Sequence, residues 1–148
     1  MNILLTSVGR RAYMVKYFKE VLGLDGLVHV CNSDNKSIAF KYADKKVISP
    51  LIYDDNYIPF LVEYCKENAI DIIISLFDID LLMLAKYKKE FNKVGTRVIV
   101  SDPEIIEICN DKWMTYEFLV KNRFATPKTF LTIEEVKEKS YVLAYKFT

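Results

Sequence analysis

The segment Ser7-Val8-Gly9-Arg10-Arg11 joins an apolar run, Ile3–Leu5, to a stretch with helical spacing. A glycine and two arginines at the start of a helix suit an anion. Glycine permits a tight turn or a close approach, the first-turn N–H groups lack partners, and guanidinium groups add charge. The competing reading is that Gly9 only makes the turn and that Arg10 and Arg11 are solvated. The loop has one glycine where the GxGxxG fingerprint has three, and it is not a GxxxxGK[ST] phosphate cradle. Asp34 follows the apolar run Leu27–Cys31, where a ribose-binding acid would stand. Within Asn32-Ser33-Asp34-Asn35 a turn residue explains it equally well. Asp78 and Asp80 follow Ile72-Ile73-Ile74, so that one points into a crevice and the other caps the next helix. Lys112, after Asn110-Asp111, falls in the first turn of a predicted helix, where a cation costs roughly a few tenths of a kcal/mol. That mild conflict points to phosphate; a plain exposed lysine is the alternative.

Other chemistries lack residues. The single histidine, His29, lies inside a predicted strand, and Cys31, Cys65 and Cys109 are widely spaced with no CxxC. A zinc site and Ser/His/Asp or Cys/His sets are therefore unsupported, and no residue is assigned as catalytic or metal-ligating. Three buried thiols in a reducing compartment are expected. Lys and Arg number 21 against 20 Asp and Glu, a net charge of +1, which argues against nucleic-acid or membrane binding as the main task. The ten tyrosines are scattered and read as half-buried packing rather than a base-stacking platform. No apolar run approaches the ~20 residues of a membrane span, and Ile3–Leu5 is too short for a signal peptide, so a cytoplasmic protein is expected.

The elements that must position these residues follow from hydrophobic period. With 148 residues, 51% of them hydrophobic, the chain has length for one core. Strands are predicted at Asn2–Thr6, Leu27–Cys31, Lys46–Ser49, Asp71–Leu76 and Arg97–Val100, and a last one at Val142–Phe147. Helices are predicted at Arg11–Leu22, Tyr57–Asn68 (capped by Asp55 or Asn56), Ile79–Asn92, from Pro103 behind an Asp102 cap, Asp111–Lys121 and Thr132–Lys139, with a short one in Ser37–Ala43. Thr132 answered by Glu135 is a capping box. Continuous apolar strands alternating with amphipathic helices predict an α/β, Rossmann-like, doubly wound and mostly parallel sheet, helices on both faces. Ligands of such sheets sit beyond the strands' carboxyl ends.

Taken together, ILLTSVGRR, IDIIISLFDIDLLMLAK and VIVSDPEIIEICNDKWMTYEFLVKNRFATPKTFL resemble the N-terminal part of ATP-grasp proteins, in the carbamoyl-phosphate-synthase-large-subunit-like group. The likeness covers about residues 1–132. It implies a Rossmann-like pre-ATP-grasp domain at 1–127, and a linker helix and strand at 128–148 leading towards an ATP-grasp domain. It implies a carboxylate–amine ligase using ATP and magnesium, neither bound tightly by this chain alone. Gly9, Arg10, Arg11, Asp34 and Asp78 would help bind a small-molecule substrate, and Lys112 and Lys146 would match nucleotide-contacting lysines. Two departures stand out: Asn122-Arg123-Phe124-Ala125 replaces a glycine before Thr126-Pro127, and no proline follows Lys146. The lid loop and magnesium-binding residues of the family would lie past Thr148. The expected partner is therefore an ATP-grasp domain in cis or in trans; the tail strand is expected to pack back on its own domain, to pair with a second copy as a homodimer, or to be mobile. A stand-alone nucleotide- or anion-binding module and a structural domain are the competing functions.

Overall fold

The computed structural model describes the backbone of residues 1–144 and the side chains of residues 1–138. The chain divides into two compact units, Met1–Pro103 and a second beginning at Glu104.

The first unit is one five-stranded sheet. Its strands are β1 (Asn2–Thr6), β2 (Leu27–Asn32), β3 (Lys45–Ile48), β4 (Ile72–Ser75) and β5 (Arg97–Val98), in the order β3-β2-β1-β4-β5. Every pairing is parallel. The apolar residues of β1 alternate between two cores, as the two-residue period of a strand requires. Leu4 joins a core built with Tyr57, Leu61 and Cys65 of α2 (Tyr57–Glu67), Leu84 of α3 (Asp78–Lys86) and Phe91 of α4 (Lys88–Lys93). Ile3 and Leu5 join the opposite core, with Val15 and Leu22 of α1 (Ala12–Leu22) and Ala39 of a 3-10 turn at Ile38–Lys41. A parallel sheet covered on both faces is thus the observed fold, as the strand pattern predicts.

Several local expectations shift. The single helix expected at Ile79–Asn92 is two, because Tyr87 leaves the helical region (φ −103°, ψ 14°) between α3 and α4. Asn56 occupies the N-cap of α2 but makes no capping bond. Its own N–H and side-chain amide donate instead to Asp54 Oδ1, at 2.8 and 3.0 Å. Cys31 and Cys65 are buried, and burial first of all pushes both thiols up to about 12. Cys109 is exposed, against expectation, in a last helical turn flanked by the exposed Asn110 and Asp111.

The second unit holds α5 (Pro103–Asn110), α6 (Lys112–Lys121) and α7 (Ile133–Ala144). Asp111 caps α6 by accepting from Met114 N–H at 2.8 Å. The Thr115 hydroxyl ties α6 to α5 by donating to the Ile108 carbonyl at 2.6 Å. Thr132 Oγ1 accepts from Glu135 N–H at 3.2 Å, and Glu135 reaches back to the N–H of Leu131 at 3.1 Å. The helix nucleated there propagates one bond per residue. It takes in Val142–Ala144, where the tail strand was expected. The rest of that expected strand, Tyr145–Phe147 with Lys146, lies outside the described residues. Among the described residues, no helix is long and apolar enough to cross a membrane.

Candidate functional site

The order β3-β2-β1-β4-β5 makes β1 the strand from which the chain departs in both directions, so the switch point lies between β1 and β4. Register sets the rest. Thr6 is level with Cys31 of β2 and with Ser75 of β4, so the three strands end flush. The loops that follow, Ser7–Arg11, Ser33–Ser37 and Leu76–Phe77, therefore leave the same edge of the sheet. Gly9, Arg10, Arg11, Asp34 and Asp78 are all carried at that edge.

The first loop is firmly held. Val8 is fully buried in the α1-side core. Ser7 N–H donates to the Cys31 carbonyl at 3.1 Å, and Arg11 N–H to the Val8 carbonyl at 3.0 Å. The Ser37 hydroxyl donates to the Gly9 carbonyl at 3.2 Å, binding the loop after β2 to the loop after β1. Gly9 has φ 55°, and a Cβ built there would meet nothing within 4 Å. Its glycine therefore serves the left-handed backbone, with open space above it. Arg11 occupies the N-cap of α1 without a side-chain capping bond, and the first turn of α1 holds no acidic residue. Arg10 and Arg11 are both exposed. Met14 N–H in the first turn donates to the Arg11 carbonyl at 2.9 Å, and two exposed guanidinium groups stand beside a turn that carries no carboxylate, an arrangement of the kind that suits an anion.

Asp34 makes the turn that the sequence allowed, Oδ1 accepting from Lys36 N–H at 2.9 Å. Asp78 is exposed and opens α3. Neither acid of the Asp78/Asp80 pair occupies the cap of α3. Phe77 does, without a side-chain cap bond, and the Ser75 hydroxyl oxygen accepts from its N–H at 3.2 Å.

Asp80 is the residue whose role sequence reasoning missed. It is fully buried and gathers three hydroxyl groups. Thr6 donates to Oδ2 at 2.5 Å, Ser7 to the same oxygen at 3.3 Å, and Tyr57 to Oδ1 at 2.9 Å. One carboxylate thus ties the end of β1, the first residue of its loop and the start of α2 to the first turn of α3. Burial, and next the charge of Asp80, push the Tyr57 hydroxyl pKa well up, so Tyr57 stays a donor. Ser7 has φ 52° without being glycine, a left-handed conformation that costs a side-chain residue about 1–2 kcal/mol. Its bond to Asp80 offsets part of that. The sequence signal was an acid, Asp80, set directly before the apolar run Leu81–Ala85.

Lys112 is the exposed first residue of α6, in the second unit, and no acid shares its first turn. Hollows elsewhere include one of about 660 Å3 beside Lys88 and Gly95–Val100 and one of about 350 Å3 between Tyr53 and Tyr87. Neither is lined by any residue of Ser7–Arg11. Among the described residues, no group of three His, Cys, Asp or Glu side chains could hold a metal ion.

Solved structures share this architecture. The L-amino acid ligase of Bacillus licheniformis matches with a TM-score of 0.64 and 20% identity, over 90% of this chain and 34% of that one. The biotin carboxylase subunit of pyruvate carboxylase gives 0.60 and 19%, over 99% and 33%. The N5-carboxyaminoimidazole synthetase of Staphylococcus aureus complexed with ADP gives 0.58 and 16%, over 81% and 29%. At such identities the likeness shows the fold, and the chain spans about a third of the length of each protein. No curated protein matches the sequence closely enough to count as a relative. The expected likeness to the Rossmann-like N-terminal part of ATP-grasp proteins holds. Residues 3–99, running from within β1 to just past β5, match the model of the PylC-like N-terminal domain, and the chain belongs to that family.

Proposed function

We infer that this domain forms one wall of the substrate cleft of a cytoplasmic ATP-grasp carboxylate–amine ligase, of the carbamoyl-phosphate-synthase-like kind. In this reading the Ser7–Arg11 loop holds an anionic group of a small substrate or nucleotide. Gly9 and the first turn of α1 supply N–H donors and Arg10 and Arg11 supply charge, with Asp34 and Asp78 lining the neighbouring loops. The observation that carries it is the pinned loop itself: a left-handed Gly9, an open helix start and two exposed arginines at the switch point. Residues 1–127 would be the Rossmann-like domain, and 128–148 the passage towards the ATP-grasp domain with which it pairs in cis or in trans. Lys112 and Lys146 would contribute to the nucleotide there. The described residues offer cations for phosphate oxygens and no carboxylate set for magnesium. In this reading the ATP-grasp domain would hold the magnesium, and this chain would contribute binding rather than phosphoryl transfer.

The test is calorimetric titration of the chain with inorganic phosphate and ADP. Exposed charge-assisted contacts are worth about 1 kcal/mol each after solvent screening. Arg10→Ala with Arg11→Ala is thus expected to weaken anion binding roughly tenfold to thirtyfold. Equal affinity in wild type and double variant would return both arginines to plain solvation and remove the reading.

A further inference from the structure

We propose that the outer face of α1 is an interface between two copies of this chain, packed antiparallel about a two-fold axis. A surface helix ordinarily has one apolar face, with polar residues opposite. α1 has two apolar faces. Val15 and Leu22 are buried in the core and Phe18 packs against it. On the outside, Tyr13 (52% exposed), Tyr17 (59%) and Val21 (83%) stand four residues apart, and Leu24, fully exposed, follows just past the helix end. Residues four apart share one helix face, so these side chains form a continuous stripe. The rings of Tyr13 and Tyr17 already meet edge to face, 5.9 Å between centroids. Contiguous apolar stripes of this kind on a soluble domain mark places where something binds.

The charges beside the stripe select the occupant. Lys16 and Glu20 follow Tyr13 and Tyr17 by three residues each and lie on one flank. Glu20 makes no ion pair among the described residues, and the Lys16 ammonium lies 4.3 Å from the centre of the Tyr42 ring. Two copies of α1 laid antiparallel about a two-fold axis bring the same flank of each helix together. Lys16 then faces Glu20 of the second copy, and Glu20 faces its Lys16. In the same register, to within a residue, Tyr17 opposes Val21 and Tyr13 opposes Leu24. Apolar stripe and charges are therefore self-complementary in a single arrangement, which an isologous interface requires. The stripe is narrower than the roughly 800 Å2 per partner of a standard interface, so the association is weak.

The experiment is sedimentation velocity on the 148-residue chain between about 10 μM and 1 mM, a range suited to weak interfaces. A concentration-dependent dimer is expected, and Val21→Asp is expected to weaken it at least tenfold. Lys16→Glu and Glu20→Lys, each alone, oppose like charges at both symmetric positions and are expected to weaken it severalfold. An equimolar mixture of these two variants restores opposite charges at both positions and is expected to recover dimers. Circular dichroism of each variant checks that the surface changes leave the fold intact. A chain monomeric throughout the range, a dimer indifferent to Val21→Asp, or no recovery on mixing would each overturn the proposal.

Discussion

Removing the Tyr57 hydroxyl tests whether Asp80 ties the end of β1 and the start of α2 to α3. In Tyr57→Phe the ring stays and only the donor to Asp80 Oδ1 is lost, a bond of 2.9 Å between groups that are both buried. Hydrogen bonds to charged groups contribute about 1.5–3 kcal/mol, and the upper half applies where the abandoned oxygen cannot be rehydrated. A loss of about 2 kcal/mol is expected. With a urea m-value of about 2 kcal/mol/M, the unfolding midpoint followed by circular dichroism falls by about 1 M. Ser7→Ala removes the longer, 3.3 Å bond to Oδ2, an oxygen that Thr6 also serves at 2.5 Å. It is expected to cost under about 1 kcal/mol. The cycle is completed in an Asp80→Ala background, where the Tyr57 hydroxyl is itself a buried donor without an acceptor. There Tyr57→Phe becomes neutral or favourable, a coupling of about 1–3 kcal/mol. A Tyr57→Phe loss below about 0.5 kcal/mol, or equal losses in both backgrounds, would refute the reasoning.

Two further outcomes are expected. His29 is fully buried and shares a 2.9 Å hydrogen bond between Nδ1 and the Tyr64 hydroxyl. Burial first, then the Lys45 charge, lowers its pKa below 6.5, against a smaller opposing pull from Asp44. The unfolded chain therefore binds the proton more readily, so stability falls as pH drops through 6.5 towards the lower folded value. Denaturant midpoints between pH 7.5 and 5 show this slope, and His29→Phe flattens it; an unchanged slope counts against it. Ala69 follows the C-cap of α2 at φ 46°, with Ala69 N–H bonded to the Lys66 carbonyl and Ile70 N–H to that of Cys65. Ala69→Gly relieves the left-handed backbone and is expected to stabilise by about 0.5–1 kcal/mol, read as a higher thermal midpoint. A lower midpoint would place the unfolded-state entropy of glycine above the strain.

Arg123 gives the same motif a second meaning. It follows the C-cap of α6 at φ 60°, with its N–H on the Val120 carbonyl and Phe124 N–H on that of Leu119. Within Asn122-Arg123-Phe124-Ala125, the segment before Thr126-Pro127 noted in the sequence, Arg123 thus takes a left-handed backbone that a glycine adopts freely. The helix ends as a glycine would end it, with an arginine bearing the strain.

What the sequence determined by itself was everything with a short-range cause. Ile3–Leu5 and Ile72–Ile74 read as buried strands because continuous β-branched and leucine runs fit a sheet covered on both faces. Gly23 closes α1, Asp111 caps α6 and the Thr132–Glu135 box starts α7, since each acts within one turn. Causes acting over longer range were not legible. No glycine or proline marks the break at Tyr87 between α3 and α4. The Val142–Ala144 run looked like a strand by composition, yet a helix nucleated nine residues earlier carried through it. The site divides in the same way. Gly9, Arg10 and Arg11 could be singled out because glycine and charge after a strand advertise themselves locally. Asp80 was not, because Thr6, Ser7 and Tyr57 are 74, 73 and 23 residues from it along the chain. Only the flush ends of β1 and β4 in a 3-2-1-4-5 sheet bring those hydroxyls to one carboxylate, and a pairing made by strand order leaves no periodic trace in the sequence.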